Sequence, residues 1–299
     1  MLRFIVLLGA ISALPLPGMA AVSVFACEPE WAALAKEVGG EQVKTTTATV
    51  ALQDPHHIQA RPSLISRIRR ADLVICTGAG LEVGWLPLLL RRANNPQIQP
   101  GQPGYVEAVS VVSLLGRPQR LDRSQGDIHS LGNPHIQMNP YNLAAVAKLL
   151  SQRLATVDPG NAAEYQHNLD DFLSRWQAAI DRWEQQAAPL KGMDVVVQHN
   201  SWVYLNQWLG LHQLTTIEPK PGVPPSGADL ERLVNTLKQQ PARVILRAAY
   251  QDDRAARWLS GKTGIAEVVL PFTVGGTEEA NDLFSLFDDT LRRLLAAAS

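Results

Sequence analysis

The chain has 299 residues, of which 46% are apolar and 18% are charged, and its formal net charge is −1 at pH 7. That length accommodates two domains of ordinary size, or one large α/β domain, with a full hydrophobic core in either case. Because no block of like charges interrupts this balanced composition, the sequence argues against nucleic acid as a partner.

The N-terminus differs from the rest of the chain. Arg3 precedes an apolar run from Phe4 to Leu14, and a segment of small residues ending at Ala20 and Ala21 follows. This is the layout of a cleaved secretory signal, and the run is shorter than the roughly 20 apolar residues that span a bilayer. We therefore predict that residues 1–21 are a signal peptide and that the mature protein is periplasmic.

The sequence contains two cysteines, and export bears on their chemical state. Cys27 closes the first apolar strand, and Cys76 lies within "ADLVICTG". An oxidising compartment permits these residues to pair, while two small buried side chains are the alternative, and the sequence leaves both open. Neither cysteine directly follows the apolar run as a lipid-attachment site would, so we expect a free soluble protein.

Short β-rich runs alternate with helical patterns in the first half of the chain. "VSVFA" leads into the amphipathic helix "EWAALAKEVGG" and is followed by "QVKTTTATVAL", a helix opening at Pro62, "ADLVICTG", "GYVEAVSVV" and a helix from about Pro140 to Thr156. This alternation predicts a parallel sheet flanked by helices. The glycine cluster "TGAGLEVGW" has the wrong spacing for a dinucleotide fingerprint and no clear helix after it, so we interpret it as a turn.

A long polar helix is predicted from Asn161 to about Ala188. Its apolar residues share one stripe: Tyr165, Leu169, Phe172, Trp176, Ile180 and Trp183. Such a helix spans roughly 40 Å at 1.5 Å per residue and can tie two lobes together. After Gly192 the alternation restarts, so we predict an α/β fold with two Rossmann-like lobes (22–160 and 189–299), parallel sheets and one rigid connecting helix (161–188).

Three histidines share a context that suggests a ligand site. His56, His135 and His199 each lie at the carboxyl end of a strand or in a loop that feeds a helix. Ligands of doubly wound α/β lobes bind beyond the strand ends, so a site built from these residues would lie in the cleft between the lobes. Imidazoles suit Zn²⁺ and its late transition-metal neighbours, although spacing alone also fits unconnected loop histidines. His167 and His212 are expected at the surface.

Three segments carry a resemblance to a known family. "DPHHIQARPSLISRIRRADLVICTG", "GNPHIQMNP" and "HNSWVYLNQWLGL" resemble the metal-specific periplasmic solute-binding proteins of ABC importers, the zinc and manganese receptors. The resemblance covers nearly the whole mature chain in order. It implies that a monomeric receptor, not an enzyme, captures a metal ion in its cleft and delivers it to a membrane permease. It also implies His56, His135 and His199 as the metal ligands.

The sequence departs from the family pattern in ways that bear on the metal. Manganese receptors commonly carry a carboxylate where His199 stands, so the all-histidine set points to Zn²⁺ as the transported ligand. The family's frequent fourth ligand is an aspartate after a Phe-Thr-like pair, and here Val274 stands at that place. The fourth position is open between a water molecule and the nearby carboxylates Glu278, Glu279 and Asp282.

The long His/Asp-rich loop of many zinc receptors is reduced to "RSQGDIHSLGNPH". Asp127 and His129 are either its remnant, handing ions inward, or part of an ordinary polar loop. We expect His57 to be exposed at the mouth of the cleft.

Four further residues lie near the expected site. We expect Trp202 and Tyr204 to pack within their lobe, and Arg247 and Tyr250 to point toward the cleft, where a role in orienting ligands is open.

The sequence leaves a second class of function to weigh. An exported zinc hydrolase would use an open coordination position to activate water, but the short motif with two histidines on one helical turn is absent. A manganese receptor of the same fold is the other alternative. A heme or siderophore receptor would not explain three separate strand-end histidines.

Overall fold

The computed structural model describes residues 21–118, 126–127 and 129–298. The predicted signal peptide therefore lies outside the described residues except for Ala21. Within these ranges, no helix combines the length and hydropathy that a membrane span requires.

A four-stranded parallel sheet in the order β2-β1-β3-β4 organises the first half of the chain. Side chains of the two central strands alternate between two cores, because successive residues of a strand point to opposite faces: Val24 and Ile75 face one core, and Phe25 and Val74 face the other. The elements are β1 (Val22–Ala26), α1 (Pro29–Gly39), β2 (Val43–Thr47), α2 (Pro62–Arg69), β3 (Leu73–Cys76), α3 (Leu86–Ala93), β4 (Tyr105–Glu107) and α4 (Pro140–Val157).

The second half of the chain repeats this arrangement. Its parallel sheet has the order β6-β5-β7-β8, so the first strand of each lobe is again flanked by the second and the third. The elements are β5 (Asp194–Val197), α6 (Val203–Leu209), β6 (His212–Thr216), α7 (Gly227–Gln239), β7 (Val244–Ala248), α8 (Arg254–Thr263), β8 (Ala266–Leu270) and α9 (Leu283–Ala298). The predicted α/β fold with two parallel sheets is confirmed.

The helix α5 (Ala162–Ala187) separates the two sheets along the chain and is about 39 Å long at 1.5 Å per residue. Its predicted apolar stripe is buried. Trp176 Nε1 donates to the carbonyl of Pro140 at 2.9 Å, which ties α5 to α4 of the first lobe. Trp183 stacks on Phe287 of α9 with ring centroids 4.9 Å apart. The helix is thus packed against both lobes.

The glycine cluster is followed by a helix, so the expectation that none follows is wrong. Helix α3 begins at Leu86, with Pro87 in its first turn, and is only 8 residues long. The cluster is nevertheless a turn without a dinucleotide site. The carboxylate of Glu82 accepts hydrogen bonds from the backbone N–H groups of Thr77 (2.7 Å) and Gly78 (3.1 Å). A bound phosphate would need these same N–H groups as donors, so Glu82 occupies the place that a phosphate would take.

Cys27 and Cys76 form a disulfide, which resolves the alternative that the sequence left open. The two residues follow or end the neighbouring strands β1 and β3, so the sheet itself brings their Cα atoms to 4.8 Å. Both are fully buried. The bond therefore links the carboxyl ends of the two central strands, the edge of the sheet that faces the cleft.

Candidate metal centre

His56, His135 and His199 come together in the cleft and are called the histidine cluster below. Each offers a ring nitrogen, and these nitrogens all lie within 4.8 Å of one another. His56 follows β2, His135 precedes α4, and His199 follows β5 of the other lobe. The three side chains are nearly buried, so the cluster presents one small volume enclosed by imidazole rings.

One nitrogen of each ring is held by a side-chain oxygen. The pairs are His56 Nδ1 with Asp54 Oδ1 (2.7 Å), His135 Nδ1 with Asn133 Oδ1 (2.9 Å) and His199 Nδ1 with Glu218 Oε2 (2.6 Å). With these partners the neutral tautomer carries its proton on Nδ1, and Nε2 keeps a free lone pair. This is the pattern by which proteins orient imidazoles toward a metal ion.

The local sequence explains two of these pairs. In both Asp-Pro-His and Asn-Pro-His, the first side chain accepts from the backbone N–H two residues later, at 2.9 Å for His56 and 3.0 Å for His135. The same oxygen also accepts from that histidine's ring. The central proline fixes φ and favours this turn. The orientation of each ring is therefore set by the backbone turn that precedes it.

His135 is the most enclosed member of the histidine cluster. It is 1% exposed, and its Nε2 has no hydrogen-bond partner among the described residues. Burial, followed by the proximity of His56 and His199, lowers the pKa of His135 well below the usual value of 6.5. Burying the lone pair of a neutral imidazole without a hydrogen-bond donor costs folding free energy. A metal ion bound to that lone pair would remove this cost.

His129 lies beside the histidine cluster. Its Nε2 is 3.3 Å from Nε2 of His56, and its ring centroid is 6.0 Å from that of His135. Burial, and then the neighbouring His56 and His199, lower its pKa to about 4. The sequence marked His129 only by its position six residues before His135. Neither of the two roles considered for it in the sequence analysis placed its ring beside the three ligands.

Two of the three carboxylates considered for the fourth position, Glu279 and Asp282, make contacts elsewhere. Glu279 pairs with Arg293 (Oε2 to Nη2, 3.0 Å), and Asp282 Oδ1 accepts from the N–H of Ser285 at 2.7 Å. Val274 and Asp282 line a different cavity from the one that His56 and His199 line. The segment contributes Phe272 instead, whose ring lies 5.6 Å from that of His135.

Polar contacts from the second lobe hold the segment that carries His135. The hydroxyl of Tyr204 donates to the carbonyl of Asn133 at 2.8 Å, and Asn133 Nδ2 donates to the carbonyl of Asn200 at 2.6 Å. Tyr204 thus packs as expected and also supports a residue that orients His135. Trp202 is buried against Phe272.

Arg247 and Tyr250 differ in their relation to the cleft. Arg247 is buried, pairs with Glu267 at 2.6 Å and donates to the carbonyl of Gln251 at 2.7 Å, so it stabilises its own lobe. Tyr250 lines the same cavity as His56 and His199.

An acidic cavity of about 620 Å³ leads from the histidine cluster to the surface. Its lining includes four carboxylates: Asp54, Asp127, Glu218 and Asp252. His57 is 67% exposed at this mouth, with Nε2 3.7 Å from Asp127 Oδ2. Arg254 also lines this cavity and pairs with Asp252 at 2.9 Å. Carboxylates still outnumber it, and an excess of negative charge in a cleft concentrates cations.

Two α/β lobes joined by a long helix, with an acidic cleft that ends at converging imidazoles, define a two-lobed receptor for a cation. The chain belongs to the zinc-uptake complex component A periplasmic (ZnuA) family, which matches residues 24–297. It is thus an extracytoplasmic metal-binding protein of an ABC importer and not an enzyme, as the resemblance implied.

Known relatives are distant in sequence and close in fold. The manganese ABC transporter substrate-binding lipoprotein PsaA of Streptococcus anginosus is 22% identical over 258 residues, covering 83% of this chain and 79% of PsaA. A crystal structure of ZnuA matches with a TM-score of 0.79 at 21% identity, covering 93% of this chain and all of that one (100%). A cadmium-bound periplasmic metal-binding protein from Candidatus Liberibacter asiaticus matches with a TM-score of 0.76 at 18% identity, with 93% and 100% covered.

Proposed function

We propose that this protein is a periplasmic high-affinity receptor that binds one Zn²⁺ ion through His56, His135 and His199 and delivers it to the permease of an ABC importer. The observation that carries the proposal is the buried Nε2 of His135, which has no partner among the described residues and faces two other imidazoles whose Nδ1 atoms are already bound. Three lone pairs held in this way match the nitrogen donors that zinc sites use.

The donor set supports zinc over manganese. Mn²⁺ favours carboxylate, carbonyl and water oxygens, whereas imidazole nitrogen suits Zn²⁺, which also binds such ligands more tightly in the general order of affinities. The carboxylates nearest the histidine cluster, Asp54 and Glu218, each accept a hydrogen bond from a ring Nδ1. They therefore support the imidazoles instead of replacing them.

The arrangement of the lobes supports capture and release. We propose boundaries of 22–160 for the first lobe, 161–188 for the connecting helix and 189–299 for the second lobe. His56 and His135 then belong to the first lobe and His199 to the second, so a movement of one lobe against the other separates the ligands. We infer that docking on the permease drives this movement and releases the ion.

The disulfide supports an extracytoplasmic location, because such bonds persist in oxidising compartments. It also engages both cysteines of the sequence, which leaves neither as a free thiol for lipid attachment. This favours a free periplasmic protein, released from a cleaved signal, over a lipoprotein such as those named among its relatives, and we propose that it acts as a monomer.

A competition titration of the chelator-stripped protein with Zn²⁺ and Mn²⁺ tests the proposal. One tight Zn²⁺ site per chain with weak Mn²⁺ binding is expected, and His135→Ala should abolish the tight site. His167, exposed on α5, provides the control, because His167→Ala removes an imidazole far from the cleft. Tight Mn²⁺ binding would identify a manganese receptor, and equal effects of both variants would refute the site.

A further inference from the structure

We infer that His129 is the fourth metal ligand and completes a site of four imidazoles. The inference rests on the proposed function, since it concerns the ion that His56, His135 and His199 bind. It assigns the coordination position that the family often fills with a carboxylate and that Val274 cannot fill here. The ligand comes from the loop before His135 instead of the loop after β8.

The ring nitrogens of His56 and His129 have the separation expected of two zinc ligands. In a tetrahedral zinc site with Zn–N bonds of about 2.0–2.1 Å, two ligand nitrogens are separated by about 3.3–3.4 Å. The Nε2 atoms of His56 and His129 are 3.3 Å apart. This pair therefore already has the spacing of two ligands on one ion. The nitrogens of His56, His135 and His199 lie within 4.8 Å of one another and His129 lies beyond that limit from at least one of them, so binding one ion through all four requires the rings to draw together.

The Nε2 atom of His56 is available to a cation that it shares with His129. Nδ1 of His56 is bound to Asp54, which leaves a lone pair on its Nε2. Nε2 of His129 lies 3.3 Å from this nitrogen, and a cation bound to both nitrogens would satisfy them together.

The second lobe holds Asp127, two residues before His129, in place. The N–H of Asp127 donates to the carbonyl of Pro221 in the second lobe at 3.0 Å. The adjacent Gly222 donates its N–H at 2.8 Å to Glu218 Oε2, the same oxygen that holds His199. A Cβ on Gly222 would lie 2.2 Å from Asp127 Oδ2, and the φ of 75° at this residue favours glycine. One carboxylate thus orients a ligand and supports the turn on which the loop rests.

A fourth imidazole would make the site closed and entirely nitrogenous. No coordination position would remain for water. Catalytic zinc sites keep such a position open, whereas structural sites are closed. A closed site is therefore consistent with carrying the ion rather than with catalysis. Mn²⁺ would be disfavoured more strongly than by three histidines and a carboxylate. His129 is thereby a residue that determines metal specificity.

Cobalt substitution of the full mature chain tests the inference, because the visible absorption of Co²⁺ reports coordination number and ligand type. The wild-type spectrum should be tetrahedral and unchanged by added imidazole or azide. His129→Ala should weaken Zn²⁺ binding by at least about tenfold and alter the cobalt spectrum, and free imidazole should restore that spectrum by filling the vacated position. His167→Ala should change none of these properties.

The outcomes separate this inference from the proposed function. If His129→Ala keeps the wild-type affinity and spectrum while His135→Ala abolishes binding, His129 is not a ligand and the three-histidine receptor stands. If His135→Ala also binds Zn²⁺ tightly, the proposed function fails. Thermal unfolding of metal-free His129→Ala should match that of the wild type, and a large drop would attribute its weaker binding to the fold.

Discussion

Replacing Glu30 with glutamine should stabilise the metal-free protein at high pH and have little effect at low pH. Glu30 lies in α1, is 1% exposed and accepts a hydrogen bond from the hydroxyl of Thr273 in the second lobe. Burial raises the pKa of Glu30 to about 7, and the bond from Thr273 opposes this only in part. Glutamine retains the acceptor oxygen and does not ionise.

The magnitude follows from linkage. The pKa of Glu30 is 4.5 in the unfolded chain and about 7 in the folded one. As the pH rises through this range, the folded state therefore retains a proton that the unfolded state loses. The contribution of Glu30 to stability therefore falls between pH 4.5 and 7. From pH 5 to pH 8 the loss is about 2.5 kcal/mol, since each unit of pKa difference is worth about 1.4 kcal/mol.

Urea unfolding at pH 5 and pH 8, followed by tryptophan fluorescence, measures the effect. The stability advantage of Glu30→Gln over the wild type should be about 2.5 kcal/mol larger at pH 8. Glu41→Gln, an exposed matched substitution just after α1, should show no such change. An advantage of Glu30→Gln that is the same at both pH values would refute the reasoning.

Two further predictions concern the disulfide and the orientation of the ligands. Cys27 and Cys76 are 49 residues apart, and replacing both with alanine should lower the free energy of unfolding by about 4 kcal/mol in the chain-entropy description; a loss below about 1 kcal/mol in urea unfolding would contradict it. Asp54→Ala removes the partner of His56 Nδ1 and should weaken Zn²⁺ binding roughly 10- to 100-fold in competition with a chelator. Unchanged affinity would show that the turn alone orients this ring.

The alternation of strands and helices was sufficient to predict both lobes, because it depends on local periodicity. The ends of elements were less predictable. "QVKTTTATVAL" reads as one extended run, yet β2 ends at Thr47. The next residues bond to the neighbouring strand end, with Ala48 donating to the carbonyl of Ala26 at 2.9 Å and the Thr49 hydroxyl to that of Cys27 at 2.9 Å. Such contacts depend on which strand becomes the neighbour.

Local sequence patterns predict three residues of the site but not the fourth. His56, His135 and His199 follow strands or open helices, so topology alone directs them to one cleft. The position of His129 depends on a turn at Pro221 from the other lobe, which no local pattern encodes. The disulfide likewise became decidable only once β1 and β3 were neighbours.

The hydrogen bonds around Asn133 divide the site differently from the order of the chain. Asn133 orients His135, yet it is itself held by Asn200 and Tyr204 of the second lobe. His135 and His56 both lie in the first lobe along the sequence. Through Asn133, however, His135 is hydrogen-bonded to the second lobe, which carries His199. The separation of ligands that we propose on opening would then begin at His56: with these bonds intact His135 would stay beside His199, and His135 would part from His199 only after they break, so the ion would leave in steps.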